Sequence, residues 1–258
     1  MTKQSLVIAL GLYAVTLSLQ VVSYLGLPVK AQAISEDTNQ TSRNHTSATV
    51  VFRPPGTGAP RDTVGGASRD GGVCPQDSAA QHSGFVSLLP QTNFGLTVSE
   101  RPTFSAYIPQ TGAQAVFFSL KEEHGQDAYQ ATFPLPESPG IVSFRLPDDA
   151  PALEVGRSYK WSMVIMCRQS LRPDDPRIEG WVQRVEPDQA LANQLETATP
   201  LQQAALYGAS GIWFDTVNTL IELRYLQPHN STLVETWEEL LNSVELDAIA
   251  TAPLIRER

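Results

Sequence analysis

Hydrophobic and polar residues alternate in a series of short stretches between residues 85 and 186. The clearest is the stretch 159–168 (YKWSMVIMCR), where one set of alternate positions is wholly apolar and the other is mixed. Because strand side chains point alternately to opposite faces, this pattern is typical of a strand with one buried side. The apolar face consists of Tyr159, Trp161, Met163, Ile165 and Cys167.

Further stretches alternate in the same way, and turn-forming residues separate them. They cover residues 85–89, 104–108, 116–120, 129–133, 142–146 and 178–185. No long helical pattern interrupts these strands, which argues against parallel βαβ units. The sequence therefore predicts a fold that is mainly β with α. Its first part is an antiparallel β-sandwich of the immunoglobulin-like kind over residues 85–186.

Beyond Pro187 the apolar positions recur every three to four residues, which predicts helices. Thr199-Pro200 places a capping residue before a proline at a first helical position. We expect a small C-terminal helical subdomain over residues 187–250, followed by a short tail, 251–258. The predicted helices cover residues 188–196, 201–209, 212–226 and 233–246.

Part of this helical region has the spacing of a tetratricopeptide unit. An aromatic residue, a glycine, a second aromatic residue, a small residue, two apolar residues and a closing proline follow at suitable offsets. These are Tyr207, Gly211, Trp213, Thr216, Leu220, Leu223 and Pro228. The first helix lacks the usual Trp and Leu-Gly pair, so an ordinary helical hairpin docked on the sandwich is the alternative.

The N-terminus resembles an export signal. Lys3 precedes an apolar run over residues 5–29, and Ala31-Gln-Ala33 matches a cleavage site. We expect residues 1–33 to be a cleaved signal peptide, with an uncleaved membrane anchor as the alternative. Residues 34–84 are rich in Ser, Thr and Asn and then in Gly and Pro. They read as a disordered linker followed by an arm.

Charge and cysteine content narrow the class of protein. The 258 residues carry a net charge of −9 with a pI near 4.9, which argues against binding to nucleic acid or an anionic membrane surface. Membrane contact is expected only if the signal stays uncleaved. The two cysteines, Cys74 and Cys167, would pair in an oxidising compartment. Two separate thiols or an intermolecular bridge remain open. No metal-ligand spacing occurs, and we expect no cofactor.

Several motifs resemble those of one known family. They are the run GAPRDTVGGASR at residues 58–69 followed by Cys74-Pro75, then EVGRSYKW at 154–161, EGWVQRV at 179–185 and GIWFD at 211–215. The chain resembles a cyanobacterial exported family catalogued as domain of unknown function 928. The resemblance implies a periplasmic or secreted protein, and it brings no established activity or catalytic residue.

The candidate chemistry is sparse, because no metalloprotease, nucleophile-elbow or EF-hand motif is present. Two aspartate pairs fall in connections between strands, Asp148-Asp149 and Asp174-Asp175. Together they could ligate calcium, which prefers oxygen ligands, or supply the acid and base of a glycoside hydrolase. Solvated turns are the simpler interpretation.

We therefore expect an exported, non-enzymatic interaction or structural protein of the cell envelope. Its helical tail would bind an unknown protein partner, with Trp213 and Trp237 as the candidate partner surface. The first alternative is a calcium- or carbohydrate-binding sandwich module. The second is a hydrolase with an unrecognised site.

Overall fold

The computed structural model describes residues 49–56, 71–77 and 84–256. The predicted signal peptide, 1–33, and most of the predicted linker and arm lie outside these residues. Within the described part, eight strands precede five helices. The strands are β1 (Val86–Ser87), β2 (Phe94–Thr97), β3 (Thr103–Ile108), β4 (Ala115–Glu122), β5 (Asp127–Pro134), β6 (Gly140–Arg145), β7 (Ser158–Ile165) and β8 (Arg177–Arg184). The helices are α1 (Gln189–Thr197), α2 (Pro200–Ala209), α3 (Trp213–Leu226), α4 (Ser231–Ser243) and α5 (Asp247–Ala250).

The strands of this described part form two sheets. The three-stranded sheet has the order β1-β3-β6, and the five-stranded sheet has the order β2-β8-β7-β4-β5. In β7, Trp161 pairs with Leu120 on one side and Gly180 on the other. Tyr159, Trp161, Met163 and Ile165 are all buried, which confirms the face predicted from their alternation.

The prediction of a wholly antiparallel sandwich is wrong at one strand. β2, which the alternation pattern did not reveal, pairs with β8 in parallel, with Phe94 opposite Trp181. Its four residues are too few to show a period, and they include Gly95. Asn93, just before β2, has a positive φ of 51°, a conformation that asparagine tolerates better than most residues.

The starts of α1, α2 and α4 follow capping signals in the sequence. The side chain of Asp188 accepts from the backbone N–H of Leu191 before α1. Thr199 and Gln202 form a capping box at α2, with Pro200 in the first turn. Asn230 caps α4. These bonds satisfy backbone donors that a helix leaves unpaired at its N-terminus.

The helices pack directly on the sheets. A Cβ atom at Gly95 would lie 2.8 Å from the ring of Phe214, so the glycine allows α3 to approach β2 closely. The Phe214 ring meets the ring of Phe104 edge-on, with centroids 5.4 Å apart. One continuous hydrophobic cluster contains buried residues of both sheets and of α2 to α5. The predicted sandwich and helical subdomain therefore share a core.

Two terminal segments are also packed. Phe52 lies edge-on to Trp213 with centroids 4.7 Å apart, and Arg53 donates its backbone N–H to Gly208 at 3.0 Å. Residues 50–55, at the start of the predicted arm, are thus packed against the helices. At the other end, Ile255 donates to Ile141 at 2.8 Å, so the predicted tail lies along the edge of β6.

Candidate functional site

A disulfide joins Cys74 to Cys167, with the Cα atoms 5.6 Å apart. It ties the glycine-rich arm to the chain just beyond β7. Gln76 supports the junction, since its side-chain amide donates to the carbonyl of Cys167 at 3.0 Å. The bridge spans 93 residues, and closing a loop of this size contributes about 4–5 kcal/mol in the chain-entropy model.

The two aspartate pairs do not form one site. Asp148 and Asp149 follow β6, whereas Asp174 and Asp175 lie between β7 and β8, so the two connections flank opposite ends of β7. Asp175 is buried and accepts from the backbone N–H of Arg172 at 2.8 Å, as turn aspartates do. Within residues 49–56, 71–77 and 84–256, no group of three potential metal-ligating side chains occurs. The structure therefore does not bring these four aspartates together as one calcium site.

The tryptophans do not form an exposed surface. Trp213 and Trp237 are fully buried, so they cannot be the partner surface that the sequence predicted. Their indole N–H groups donate to Leu88 and Ala250, respectively. Trp161 and Trp181 are buried as well, which leaves no tryptophan for stacking on a sugar.

A polar cleft lies between the first turns of α3, the β2–β3 connection and the end of β6. We call it the Asp215 cleft; its volume is about 140 Å³. That is room for more than a single water molecule. Its lining residues are Thr97, Ser99, Arg101, Pro102, Thr103, Arg145, Phe214, Asp215 and Asn218.

Asp215 is held in a fixed position in this cleft. Its Oδ2 accepts from the backbone N–H of Val98 at 3.1 Å, and it also accepts from the hydroxyl of Thr97. Burial raises the pKa of Asp215 to about 6, against the lowering effect of these hydrogen bonds. Burial, and then the charge of Asp215, also raise the pKa of Tyr207. A carboxyl with a shifted pKa in a cleft is a frequent mark of a functional site.

The two arginines of the cleft differ in their partners. Arg101 pairs with Glu100 and donates to the carbonyl of Asp148 at 3.3 Å. Arg145 is exposed at the last position of β6, opposite Thr103. Among the described residues, Arg145 forms no ion pair with a carboxylate. The cleft thus combines one uncommitted guanidinium with one carboxyl and several hydroxyl and amide groups.

Sequence reasoning missed this cleft. Its residues are spread from position 97 to position 218, and none belongs to a catalytic motif. One local signal existed. Asp215 is an acidic residue in the first turn of α3, and the residues next to it in the sequence are mostly apolar. Such an acid also interacts favourably with the helix dipole, so the signal alone does not separate a site from a structural role.

Comparison with known proteins adds one relationship. None of the curated proteins matches the chain. Among the described residues, no helix has the length and apolar character needed to cross a membrane. A family model matches residues 64–254, which is most of the sequence, and the chain therefore belongs to the family described as Domain of Unknown Function (DUF928).

Proposed function

We propose that this protein is an exported, non-enzymatic component of a cyanobacterial cell envelope that binds a protein partner through its helices. The observation that carries the proposal is the bridge between Cys74 and Cys167. Stable disulfides belong mostly to proteins that leave the reducing cytoplasm. The signal-like pattern in residues 1–33 supports the same compartment.

In this proposal the sheets are an immunoglobulin-like scaffold and α2–α3 a tetratricopeptide-like pair. Gly208 of α2 lies close to the backbone of Val51, at an interface between α2 and the N-terminal segment. Residues 50–55 already cover this interface. The partner surface must therefore lie elsewhere on the helices.

The outer face of α1 and α2 is the better candidate. An open groove of about 600 Å³ runs between these helices and Thr49. Every residue of α1 is described, and none is buried, although amphipathic helices in proteins are stabilised mainly by packing. The groove residues are Thr49, Gln194, Thr197, Ala198, Gln202, Ala205, Leu206 and Ala209.

Charge indicates the kind of partner. Residues 185–223 contain no lysine, arginine or histidine, but they include Glu186, Asp188 and Glu196 around α1. A half-apolar groove within an acidic stretch of the chain favours a partner segment in which apolar residues are flanked by lysine or arginine. We therefore take the occupant to be a basic, amphipathic segment of another envelope protein.

Export is tested by cell fractionation with thiol labelling. The mature chain, shortened at its N-terminus, should appear in the periplasm or medium. Its two cysteines should resist alkylation until a reductant is added. A full-length chain in the cytoplasm with both thiols open to alkylation would contradict the proposal.

Partner binding is tested by site-specific photo-crosslinking in the native cells. A photoreactive residue replaces Gln194 or Thr197 in the groove, and Gln130, exposed on β5, is the matched control. Each groove position should give a discrete adduct whose yield falls when crosslinking is done at high salt. Position 130 should give no such adduct. Equal labelling at all three positions, or none at the groove, would overturn the proposal that this groove binds the partner.

No observation favours the calcium- or carbohydrate-binding alternatives, since the aspartates are separated and the tryptophans buried. The non-enzymatic character rests on the sequence alone, where the familiar catalytic motifs are missing.

A further inference from the structure

We propose that the Asp215 cleft binds a small carboxylate that carries a hydrogen-bond donor on its α carbon, as a 2-hydroxy acid or an amino acid does. The basis is that an arginine without an acidic partner and a carboxyl held by two hydrogen bonds line the same cavity of about 140 Å³. This site is separate from the groove of α1 and α2, so it stands independently of the proposed partner.

Arg145 supplies the anion-binding group. It ends β6, where its backbone is held in register with Thr103 of β3. Its guanidinium has no acidic partner in the described part of the chain, so it remains available to a ligand. A guanidinium presents a planar fork of donors that matches both oxygens of a carboxylate.

Charge balance favours a monoanion over a phosphate. Arg101 also lines the cleft, but its charge is already offset by Glu100, and its second terminal nitrogen donates to the carbonyl of Asp148. The remaining positive charge belongs to Arg145, which lines the cleft together with Asp215. A dianion would meet that carboxylate with too little compensation, whereas a carboxylate with a nearby donor suits both groups.

Asp215 supplies the acceptor for that donor. The N–H of Val98 and the hydroxyl of Thr97 fix the carboxyl, so it does not need to reorganise when a ligand enters. With a pKa of about 6, it is largely ionised at neutral pH and accepts a hydrogen bond from a hydroxyl or ammonium group. The amide of Asn218 and the hydroxyl of Ser99 line the same space.

A purely structural role for Asp215 is the competing explanation. Its bond to Val98 ties the β2–β3 connection to α3 across 117 residues, which would justify the residue without any ligand. That role does not need Arg145. Among the described residues Arg145 forms no ion pair, so replacing it breaks none. Replacement of Arg145 therefore separates the two explanations without disturbing the tie.

The test is titration of the oxidised, isotopically labelled protein with glycolate, glycine and acetate, followed by amide chemical shifts. Glycolate or glycine at millimolar concentration should shift the amide signals of Val98, Ser99 and Asn218. Acetate, which lacks the donor, should bind more weakly. Whichever of glycolate and glycine binds tighter identifies the donor as hydroxyl or ammonium.

The variant Arg145→Gln should weaken this binding by about tenfold or more, the usual effect of losing one charged hydrogen-bond pair. Arg172→Gln, a change at an exposed arginine of the β7–β8 connection, is the matched control and should bind as the parent does. Both variants should melt at the parent temperature. The proposal is overturned if no probe shifts these signals, if acetate binds equally well, or if Arg145→Gln binds as tightly as the control.

Discussion

The indole N–H of Trp213 donates to the backbone carbonyl of Leu88 over 2.7 Å, and both residues are almost completely buried. The bond joins the first turn of α3 to the segment just after β1, 125 residues earlier in the chain. A buried carbonyl that loses its donor remains unpaired, at a cost of about 1–3 kcal/mol. This contact therefore ties the start of α3 to the segment after β1.

The first prediction concerns this hydrogen bond. Trp213→Phe keeps an aromatic ring but removes the donor, so the free energy of unfolding should fall by the loss of packing volume plus about 1–3 kcal/mol for the unpaired carbonyl of Leu88. Urea denaturation followed by fluorescence or circular dichroism measures the change.

Trp161→Phe is the matched control. Trp161 is buried in β7, and its Nε1 has no hydrogen-bond partner in the described part of the protein. This variant loses similar volume but no hydrogen bond, so it should be the less destabilised of the two. An equal loss in both variants would show that the bond to Leu88 adds nothing to stability.

The sequence revealed elements whose pattern is local. The alternation around Trp161 predicted a strand with one buried face, and the Thr199-Pro200 pair predicted the start of α2. β2 escaped because four residues cannot establish a period. The count of two cysteines suggested the bridge, although it did not exclude separate thiols.

Long-range contacts were beyond the reach of such patterns. Phe52 belongs to a glycine- and proline-rich arm whose order the sequence left open, and its contact with the ring of Trp213 shows that it is packed. Arg145 and Asp215 lie 70 positions apart and share a cleft because β6 and α3 meet in space. Trp213 and Trp237 were correctly placed on helices, but their burial depends on layers that the sequence does not specify.

The second prediction concerns Gly208 in α2. In an isolated helix, glycine to alanine stabilises by about 1 kcal/mol. Here a Cβ atom would lie 2.9 Å from the carbonyl oxygen of Val51, a backbone atom that cannot move away independently. Gly208→Ala should therefore lower the melting temperature and loosen residues 50–55. Thermal unfolding and hydrogen exchange at Arg53 measure the two effects.

Ala209→Gly is the control for helix propensity in the same turn. Ala209 is exposed and is the last residue of α2, so its replacement should cost no more than the backbone term of about 1 kcal/mol. If Gly208→Ala instead raised the melting temperature by the amount that propensity predicts, the contact with Val51 would not constrain this position.

The third prediction concerns the pH dependence of stability through Asp215. Its pKa rises from 3.8 in the unfolded reference to about 6 in the fold, so the native state binds more protons than the unfolded state between these values. The resulting contribution to stability is fully present below about pH 4 and is lost as pH rises through 6. A shift of this size corresponds to about 3 kcal/mol.

Asp215→Asn removes this titration while keeping an acceptor for the N–H of Val98. The stability of the variant relative to the parent should therefore increase as pH rises from 4 to 7, by an amount on the order of 2–3 kcal/mol. Urea denaturation at several pH values measures the difference, with Asp174→Asn as the control for an exposed aspartate. Tyr207, Arg101 and Arg145 surround or line the site and are unchanged in both variants. A stability difference between Asp215→Asn and the parent that stays constant over this range would show that burial does not raise the pKa of this carboxyl. In that case Asp215 would be ionised already at pH 5 and would serve as an ordinary surface tie to Val98.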